Sequence, residues 1–329
     1  MRRATTLPAA ALLASVLAAC GATPAALDPQ GSGARQIADI AWVLFAGALV
    51  IFALVAALTA YALAASAQRR AWIGRHRFVV AAGIAFPAVT LTLLLVYALA
   101  TSGRMVGARA AAPVRIEIVG EMWWWRIRYL DDAEAVQFAT ANELHIPVGR
   151  QVELRLTTAD VLHSFWVPQL GGKLDMIPGR TNVLRIDADT AAVYRGQCAE
   201  YCGAQHAKMA MHVVAEPVDE FERWLDAQRA DAVVPATPEL TRGMALFVAH
   251  CGVCHAVRGT AAAGPHGPDL THVASRRYIA AGTLPNNAGT LAAWIASSQR
   301  IKPHNRMPAF AGFANEDLLS LAAYLESLR

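Results

Sequence analysis

Side chains that bind soft metals are concentrated in one short segment. Residues 198–209 read Cys-Ala-Glu-Tyr-Cys-Gly-Ala-Gln-His-Ala-Lys-Met, so two thiols, an imidazole and a thioether lie within twelve positions. This mixture of soft and borderline ligands suits copper. Zinc also binds Cys and His clusters, but Met209 is a poor zinc ligand, and zinc sites commonly carry further Cys or His residues later in the chain. A redox dithiol is another alternative, but three residues rather than two separate Cys198 from Cys202.

A closed copper site needs a second histidine in addition to His206. His163 is the candidate, because it lies in Val-Leu-His-Ser-Phe-Trp-Val-Pro (residues 161–168) at a predicted strand end. A single histidine beside apolar residues is more often a core or loop residue. The assignment of His163 therefore depends on the rest of the ligand set.

A second group of ligands lies near the carboxy terminus. Cys251-Gly-Val-Cys254-His255 is the attachment motif of a c-type haem. Two thiols with this spacing on a helix can form thioethers with the haem vinyl groups, and His255 can bind the iron. Met307, in a proline-bounded loop 52 positions after His255, is the predicted sixth ligand and would give a higher potential than a second histidine. The alternatives for that position are the histidines His266, His272 and His304.

The composition predicts that part of the chain lies in lipid. Hydrophobic residues make up 55% of the 329 residues, charged residues only 16%, and the mean hydropathy is +0.33. Ordinary soluble domains have about one quarter charged residues. The formal net charge of +4 is modest, and no Lys/Arg-rich stripe with interleaved aromatic residues occurs, so a nucleic-acid partner is not expected.

Residues 1–20 have the pattern of an export signal. Arg2 and Arg3 are followed by an apolar Ala/Leu-rich run and by Leu-Ala-Ala-Cys at positions 17–20. A basic start, a short apolar core and small residues before a cleavage site are typical of secretory signals. The ending resembles a bacterial lipobox, which implies a lipoprotein-type signal and a lipidated Cys20. An ordinary signal peptide, cleaved nearby with loss of Cys20, is the alternative.

Two long apolar segments follow and predict a transmembrane hairpin over residues 37–103. Residues 40–67 and 78–103 carry no charge, and each exceeds the roughly 20 residues that a helix needs to span the hydrocarbon core. Pro87 is tolerable because neighbouring groups can satisfy the freed carbonyl. Four arginines lie in the short connecting loop, which places this loop in the cytoplasm and everything after residue 104 outside. They are Arg69, Arg70, Arg75 and Arg77.

After the hairpin the long apolar runs end and shorter alternating patterns begin. Residues 114–118 (Val-Arg-Ile-Glu-Ile) and 151–156 (Gln-Val-Glu-Leu-Arg-Leu) alternate apolar and polar side chains, as half-buried strands do. An antiparallel β-sandwich or barrel is the expected fold. The predicted domains are a copper-binding β domain at 104–230, an Ala/Val/Pro-rich linker at 231–238 and a helical haem domain at 239–329.

Taken together, these residues resemble the binuclear copper (CuA) domain of cytochrome c oxidase subunit II. The resemblance implies a cupredoxin-like Greek-key barrel, followed here by an all-α domain like a class I cytochrome c. In that family two thiolates bridge two copper ions, and Cys198 and Cys202 match those positions. His163 and Met209 would complete one copper, and His206 with the backbone carbonyl of Glu200 would complete the other.

The resemblance also implies roles beyond the copper ligands. Trp123, in the cluster Gly-Glu-Met-Trp-Trp-Trp at 120–125, matches the residue through which electrons enter the copper centre, whereas the two following tryptophans are expected in the core. The Glu200 side chain matches a magnesium ligand shared with subunit I, and Asp175 lies near that site in a supporting role. The carbonyl of Pro268 matches the acceptor of the His255 N–H.

One position departs from the family pattern. Many family members carry a glutamate about seven residues before the proline of the second span, at the mouth of a proton channel. The corresponding residue is Val80. The route of protons is therefore not predicted from this chain.

The order of signal, hairpin, copper domain and haem domain resembles subunit II of a cytochrome-c-fused haem–copper oxidase. The resemblance implies a multi-pass subunit of a bacterial inner membrane, with both redox domains on the periplasmic side. It would pass electrons from an external donor, a cytochrome c or the preceding respiratory complex, to subunit I, where oxygen is reduced to water and protons are pumped. Subunit III and membrane lipid are further expected partners.

Three alternatives differ in what else they require. Nitrous oxide reductase shares the copper domain but needs many more histidines than the 10 present, together with a large second domain. A quinol oxidase subunit would lack the cysteines. A membrane-tethered electron shuttle or copper-handling protein acting alone would not need two closely spaced spans.

Overall fold

The computed structural model describes residues 25–107 and 114–329, so the predicted signal peptide and Cys20 lie outside the described residues. The described residues fall into two compact units. One unit holds residues 35–107, which form most of the apolar helices, and the other holds residues 25–34 together with 114–329. The strand-rich and helical parts that carry the predicted ligands therefore belong to the same unit.

The apolar unit contains α1 (Ser32–Ala64), α2 (Ala67–Arg70), α3 (His76–Val80), a π-helical segment (Ala81–Ala85) and α4 (Phe86–Gly107). Ser32–Ala64 and His76–Ser102 are each long and apolar enough to cross a membrane. The 33 residues of α1 correspond to about 50 Å of helix, which exceeds the hydrocarbon thickness of about 30 Å. Large apolar side chains on both helices are exposed, Leu63 to 81%, as expected of surfaces that face lipid.

Pro87 accounts for the π-helical segment. Proline has no N–H, so the carbonyl four residues earlier loses its helical partner. The backbone widens directly before Pro87, and the Phe86 N–H donates to the carbonyl of Ala81, five residues back. The helix therefore continues through the proline without a break.

Ten strands form two five-stranded sheets that pack face to face. The first sheet has the order β3-β2-β1-β5-β8 and the second β4-β10-β9-β6-β7. The strands are β1 (Val114–Glu121), β2 (Trp124–Leu130), β3 (Val136–Ala141), β4 (Glu143–Pro147), β5 (Val152–Thr158), β6 (His163–Trp166), β7 (Leu174–Met176), β8 (Asn182–Ile186), β9 (Ala192–Cys198) and β10 (Ala210–Glu216). Together with α5 (Val218–Arg229) they form what we call the β domain.

The predicted alternation places the expected side chains in the core. Ile116 and Ile118 on β1, and Val152, Leu154 and Leu156 on β5, are fully buried. The cupredoxin-like β fold is confirmed, but the expectation of purely antiparallel pairing is wrong. β1 pairs with β5 in parallel, and so does β4 with β10, because the intervening chain crosses between the sheets and returns in the same direction.

The remaining residues form what we call the helical domain. It contains α6 (Pro238–His250), α7 (Ala288–Ile301), α8 (Asn315–Ser327) and the short hairpin of β11 (Tyr278–Ile279) and β12 (Leu284–Pro285). The Thr237 hydroxyl accepts the Leu240 N–H at 3.2 Å, and Pro238 occupies the first helical position, so α6 begins with a standard N-terminal cap.

The haem attachment motif follows α6 rather than lying on it, contrary to the expectation from its spacing. The helix ends at His250. The N–H groups of Cys251 and Gly252 both donate to the carbonyl of Phe247, at 2.8 and 2.9 Å, which closes the last turn. The His255 N–H then donates to Cys251 O at 2.9 Å in a tight turn that keeps the two thiols and the histidine together.

Candidate copper centre and haem cavity

The predicted copper ligands come from the ends of two adjacent strands and from the loop that joins β9 to β10. His163 is the first residue of β6, and Cys198 is the last residue of β9, which pairs antiparallel with β6. Cys202 and His206 lie in the loop, and Met209 directly precedes β10. The Cys198 N–H donates to Met209 O at 2.9 Å and so closes the base of the loop.

Two sulfurs and two imidazole nitrogens converge at the centre of this arrangement. The Sγ atoms of Cys198 and Cys202 are 3.8 Å apart. His163 Nδ1 lies 3.8 Å from Cys198 Sγ, and His206 Nδ1 lies 3.6 Å from Cys202 Sγ. His163, Cys198 and Cys202 are all buried, and their ligand atoms lie within 4.8 Å of one another.

The remaining two donors flank the same sulfurs. Met209 Sδ lies 3.9 Å from Cys202 Sγ, and the Glu200 carbonyl oxygen lies 3.2 Å from Cys198 Sγ. All six atoms of the implied ligand set are therefore gathered at one place. Soft sulfur, borderline imidazole and one carbonyl form a donor set that fits copper.

The two thiols are within hydrogen-bond distance of each other. Their contact lowers the pKa of Cys198 to about 3 and raises the pKa of Cys202. Metal ions bind thiolates and displace protons from thiols. A pair in which one sulfur already favours the thiolate is therefore prepared for a cation.

Asp160 holds the second histidine of the set. His163 Nε2 lies 2.9 Å from Asp160 Oδ1, and Asp160 Oδ2 accepts the Met122 N–H at 2.8 Å. Burial alone would lower the pKa of His163, but the hydrogen bonds and charges of Asp160 and Cys198 together outweigh it and raise the pKa. With Nε2 bonded to the carboxylate, Nδ1 is directed toward the thiols, and such a carboxylate partner commonly orients a metal-binding histidine. The sequence analysis did not identify Asp160, although it lies only three positions before His163.

The two carboxylates associated with the predicted magnesium site lie around one lysine. Lys173 Nζ is 3.2 Å from Asp175 Oδ1 and 3.3 Å from Glu200 Oε2. All three side chains are exposed by about two fifths to one half. The Glu200 carbonyl faces the thiols while its side chain faces outward, so the residue can contact the copper site and a second site at once.

The three consecutive tryptophans have three different environments. The Trp123 indole N–H donates to Cys202 O at 2.8 Å, which connects its ring to the copper-binding loop. Trp125 is fully buried in the core, as expected. Trp124 is only partly buried and has the Arg126 guanidinium 4.7 Å above its ring, so the core prediction is wrong for this residue.

A cavity of about 420 Å³ lies against the attachment motif, within the size range of cofactor sites. The cysteines and histidine of the motif line it together with Met307 on the loop after α7. The β domain supplies part of the wall. Its contribution consists of Met122, Trp123, Trp124, Ala141 and Asn142.

The predicted iron ligands are held in suitable orientations. His255 Nδ1 donates to Pro268 O at 2.8 Å, which leaves Nε2 free to bind iron. Burial lowers the pKa of His255, so the ring is neutral, as a ligand must be. The Met307 backbone is fixed by the Ser298 hydroxyl, which donates to its carbonyl at 2.9 Å, and by its own N–H, which donates to Asn305 Oδ1 at 2.7 Å.

The alternative sixth ligands are less suitably placed. His272 is buried and both of its ring nitrogens have partners, Arg329 O and Ala230 O, each at 2.9 Å. His304 is exposed and is not among the cavity residues. His266 does line the cavity, but it directly precedes Gly267, which packs against the His255 ring, so it lies on the same side as that ligand.

Arg276 is a cavity residue that the sequence analysis missed. Its side chain is 8% exposed, and its Nη2 donates to Asp269 O. Among the described residues its Nε atom has no hydrogen-bond partner. Burial lowers the pKa of this guanidinium. A buried guanidinium on the cavity wall, with its Nε lacking a partner among the described residues, is complementary to the anionic propionate groups of a haem, so the cavity fits that group in charge as well as in size.

The β domain and the helical domain are joined directly beside both sites. The rings of His212 and Tyr278 stack at 4.2 Å between centroids. Hydrogen bonds cross the junction from Arg126 Nη2 to Pro265 O (2.8 Å), Arg277 N to Glu143 Oε2 (2.9 Å), Lys208 Nζ to Ile301 O (2.7 Å), Ala210 N to Ala281 O (3.1 Å) and Lys302 Nζ to Trp123 O (2.6 Å).

Comparison with known proteins gives the same division of the chain. Residues 126–217 match the family "Cytochrome C oxidase subunit II, periplasmic domain", and residues 240–329 match the family "Cytochrome c". The periplasmic domain of subunit II of the cytochrome oxidase of Bradyrhizobium japonicum is 30% identical and covers 36% of this chain and 96% of its own, with a TM-score of 0.34.

Two relatives are similar over a larger part of the chain. Cytochrome c oxidase subunit 2 of Alkalihalophilus pseudofirmus is 40% identical over 217 residues, which are 66% of this chain and 61% of the relative. The same subunit of Bacillus sp. strain PS3 is 30% identical over 267 residues, 74% of this chain and 72% of the relative. The chain thus spans about three fifths of the first and nearly three quarters of the second. The chain, in which a cytochrome c domain follows the copper-binding fold, belongs to the cytochrome c oxidase subunit 2 family.

Proposed function

We propose that this chain is the electron-accepting subunit of a proton-pumping haem–copper terminal oxidase. In this proposal its c-type haem receives electrons from an external donor, and they continue through the copper centre to subunit I, where oxygen is reduced to water. The observation that carries the proposal is the position of Trp123. The residue lines the cavity of the haem ligands, while its indole N–H is bonded to Cys202 of the copper loop.

The copper centre would hold two ions. Cys198 and Cys202 would bridge them, and the other ligands would be His163, His206, Met209 and the Glu200 carbonyl. When bound, the ions would supply one-electron transfer, and a rigid ligand set would keep the reorganisation small. The protein provides this rigidity, because His163, Cys198, Cys202 and Met209 are buried and the Cys198–Met209 backbone hydrogen bond closes the loop.

The haem would be attached through Cys251 and Cys254, with His255 and Met307 as iron ligands. The Pro268 carbonyl would keep the His255 ring in the tautomer that binds iron, and the Arg276 guanidinium would pair with a propionate. Trp123 and Trp124 would form the wall of the cavity that faces the copper centre.

The proposal extends to the surroundings of the chain. The hairpin would anchor it in a bacterial inner membrane as a multi-pass subunit, with lipid on Cys20 if the signal is of the lipoprotein type. The copper domain would comprise residues 104–230, the linker residues 231–238 and the haem domain residues 239–329. Both redox domains would lie on the periplasmic side. Subunits I and III would be the membrane partners, and Glu200, supported by Asp175, would bind magnesium at the boundary with subunit I.

The test is an optical and EPR spectrum of the purified protein together with its copurification. We expect a mixed-valence binuclear copper signal, a low-spin c-type haem and a larger haem-containing subunit in the same fractions. A chain that carries both centres but purifies as a monomer without oxidase activity would contradict the subunit assignment and favour a tethered electron shuttle.

A further inference from the structure

Lys302 is a buried lysine at the junction of the two domains, and burial lowers the pKa of its amino group to about 7. It directly follows α7 and is 3% exposed, although lysine normally keeps its ammonium group in water. Its Nζ donates to Trp123 O at 2.6 Å and lies 3.4 Å from Ala280 O. Within residues 25–107 and 114–329 no carboxylate lies within ion-pair distance of this nitrogen.

Burial of an ammonium group without a counter-ion costs free energy, which two carbonyl oxygens offset only in part. A methionine would fill a similar volume at this position without that cost. A lysine at this position therefore indicates that its amino group has a role, and the contacts of the amino group indicate which role. Lys302 lines the haem cavity, and its ammonium reaches out of the helical domain to the backbone of Trp123.

Trp123 therefore accepts a hydrogen bond from one domain and donates one to the copper loop. The helical domain binds its carbonyl through Lys302, and the copper loop binds its indole through the Cys202 carbonyl, at 2.8 Å. The ring also packs against Gly203, where an added Cβ would lie 3.2 Å from the Trp123 ring. A single side chain thus separates the lysine on the cavity wall from a residue of the copper site.

We propose that Lys302 is a positioning residue for electron transfer from haem to copper, and that its amino group fixes Trp123 between the cavity and the copper loop. The inference rests on the proposed function. Electron transfer between two fixed centres becomes slower as the packing between them loosens. The exposed interdomain contacts, such as that of Lys208, hold the domains together without touching Trp123.

The experiment uses the complete purified oxidase and measures the rate of electron transfer from haem to copper after rapid reduction of the haem. Lys302→Met removes the ammonium and retains most of the volume. We expect transfer to slow by about tenfold or more, because small displacements between reacting groups have effects of this size. The copper EPR signal and the haem spectrum should be unchanged, and reduction of the haem by the external donor should keep its rate.

Arg258→Met is the matched control. Arg258 Nη2 also donates across the junction, to the carbonyl of Gln228 in α5, but Arg258 is neither a cavity residue nor hydrogen-bonded to Trp123. We expect its transfer rate to stay within about twofold of the wild type. Lys302→Gln keeps a neutral donor and should recover part of the rate if the hydrogen bond to Trp123 is what matters.

The outcomes separate the inference from the function on which it rests. If the wild-type protein lacks the copper signal or shows no haem-to-copper transfer, the proposed function fails. If the wild type transfers electrons and Lys302→Met does so equally fast, only the positioning role is wrong. A shifted haem potential with an unchanged transfer rate would also overturn that role, because Lys302 would then act on the haem rather than on Trp123.

Discussion

The copper centre and the haem cavity differ in which part of the chain builds them. All six candidate copper donors belong to the β domain. His163 and Cys198 lie at the ends of two paired strands, and the other four lie in the loop between β9 and β10. The haem cavity takes its ligands from the helical domain but part of its wall from Met122, Trp123 and Trp124 of the β domain. A small ion can be enclosed by one domain, whereas a large planar group is enclosed here only because a second domain is docked.

The two sites also orient their histidines in opposite ways. The copper histidine His163 has its Nε2 on the Asp160 carboxylate and presents Nδ1 to the thiols. The haem histidine His255 has its Nδ1 on the Pro268 carbonyl and presents Nε2 to the cavity. In both sites a glycine packs against the ring, Gly120 in the first and Gly267 in the second. Each ligand is thus fixed by one hydrogen bond and by one close backbone contact.

The largest effect is expected for Cys198→Ser. A hydroxyl is a poor bridge for two copper ions, so we expect complete loss of the binuclear EPR signal and of most bound copper. Because the haem ligands come from the helical domain, the c-type haem spectrum should remain. Metal analysis and spectra of the same sample measure both. Loss of the haem together with the copper would contradict the view that each domain holds its own site.

The second prediction concerns Met307 and tests whether electrons must pass the haem. Met307→Ala removes the sixth ligand, which should lower the haem potential and slow oxidase turnover by about tenfold or more with every external donor. The binuclear copper signal should stay unchanged. Met244→Leu is the control, because Met244 packs against the core of the same domain and is not a cavity residue. Unchanged turnover in Met307→Ala would mean that donors reach the copper centre directly.

The third prediction compares the two glycines that touch ligand histidines. An added Cβ at Gly120 would lie 2.8 Å from His163 Cδ2, and one at Gly267 would lie 2.5 Å from His255 Cε1. We expect Gly120→Ala to alter the copper EPR signal and Gly267→Ala to alter the haem spectrum, each with about 1–3 kcal/mol lost from the free energy of unfolding. At Gly312 an added Cβ meets no atom within 4 Å, so Gly312→Ala should change neither spectrum. An effect of either variant on the opposite site would contradict the separation.

The smallest effect is expected at the buried triad beside the domain junction. His145 Nε2 lies 3.2 Å from Glu143 Oε1 and its Nδ1 lies 3.1 Å from Glu216 Oε2. Burial alone would lower the pKa of His145 and raise that of Glu143, but their hydrogen bonds outweigh it, so the pKa of His145 is raised and that of Glu143 is lowered. The pair is therefore charged between the ordinary pKa values of 4.5 and 6.5.

The pH dependence follows from these directions. The stability from His145 is fully present below pH 6.5 and is lost as the pH rises through its raised pKa, while that from Glu143 is lost as the pH falls through its lowered pKa. We expect the melting temperature of His145→Gln to fall furthest below the wild type between pH 4.5 and 6.5, by an amount corresponding to about 1–2 kcal/mol, and the difference to shrink above this window. A difference independent of pH would assign His145 a packing role, through its ring stacked on Trp224 at 4.0 Å.

Local sequence patterns were sufficient to predict the candidate ligands, the two apolar helices and the strand faces. Cys198, Cys202, His206 and Met209 lie within twelve positions, and the haem motif within five, so local spacing was sufficient to identify them. Hydropathy and alternation are equally local, since a span or a strand face depends only on the residues that form it.

How distant segments meet could not be predicted from local patterns. The parallel pairing of β1 with β5 depends on the path of the chain between the sheets. Trp124 is only partly buried, and Arg276 and Lys302 are buried basic side chains, because two domains pack together at the cavity. Lys302 and Trp123 are 179 positions apart, and no local pattern could indicate that the ammonium of one would bond to the carbonyl of the other. Whether such a side chain is buried, and which group it bonds to, depends on how the two domains pack. The residues next to it in sequence do not carry that information.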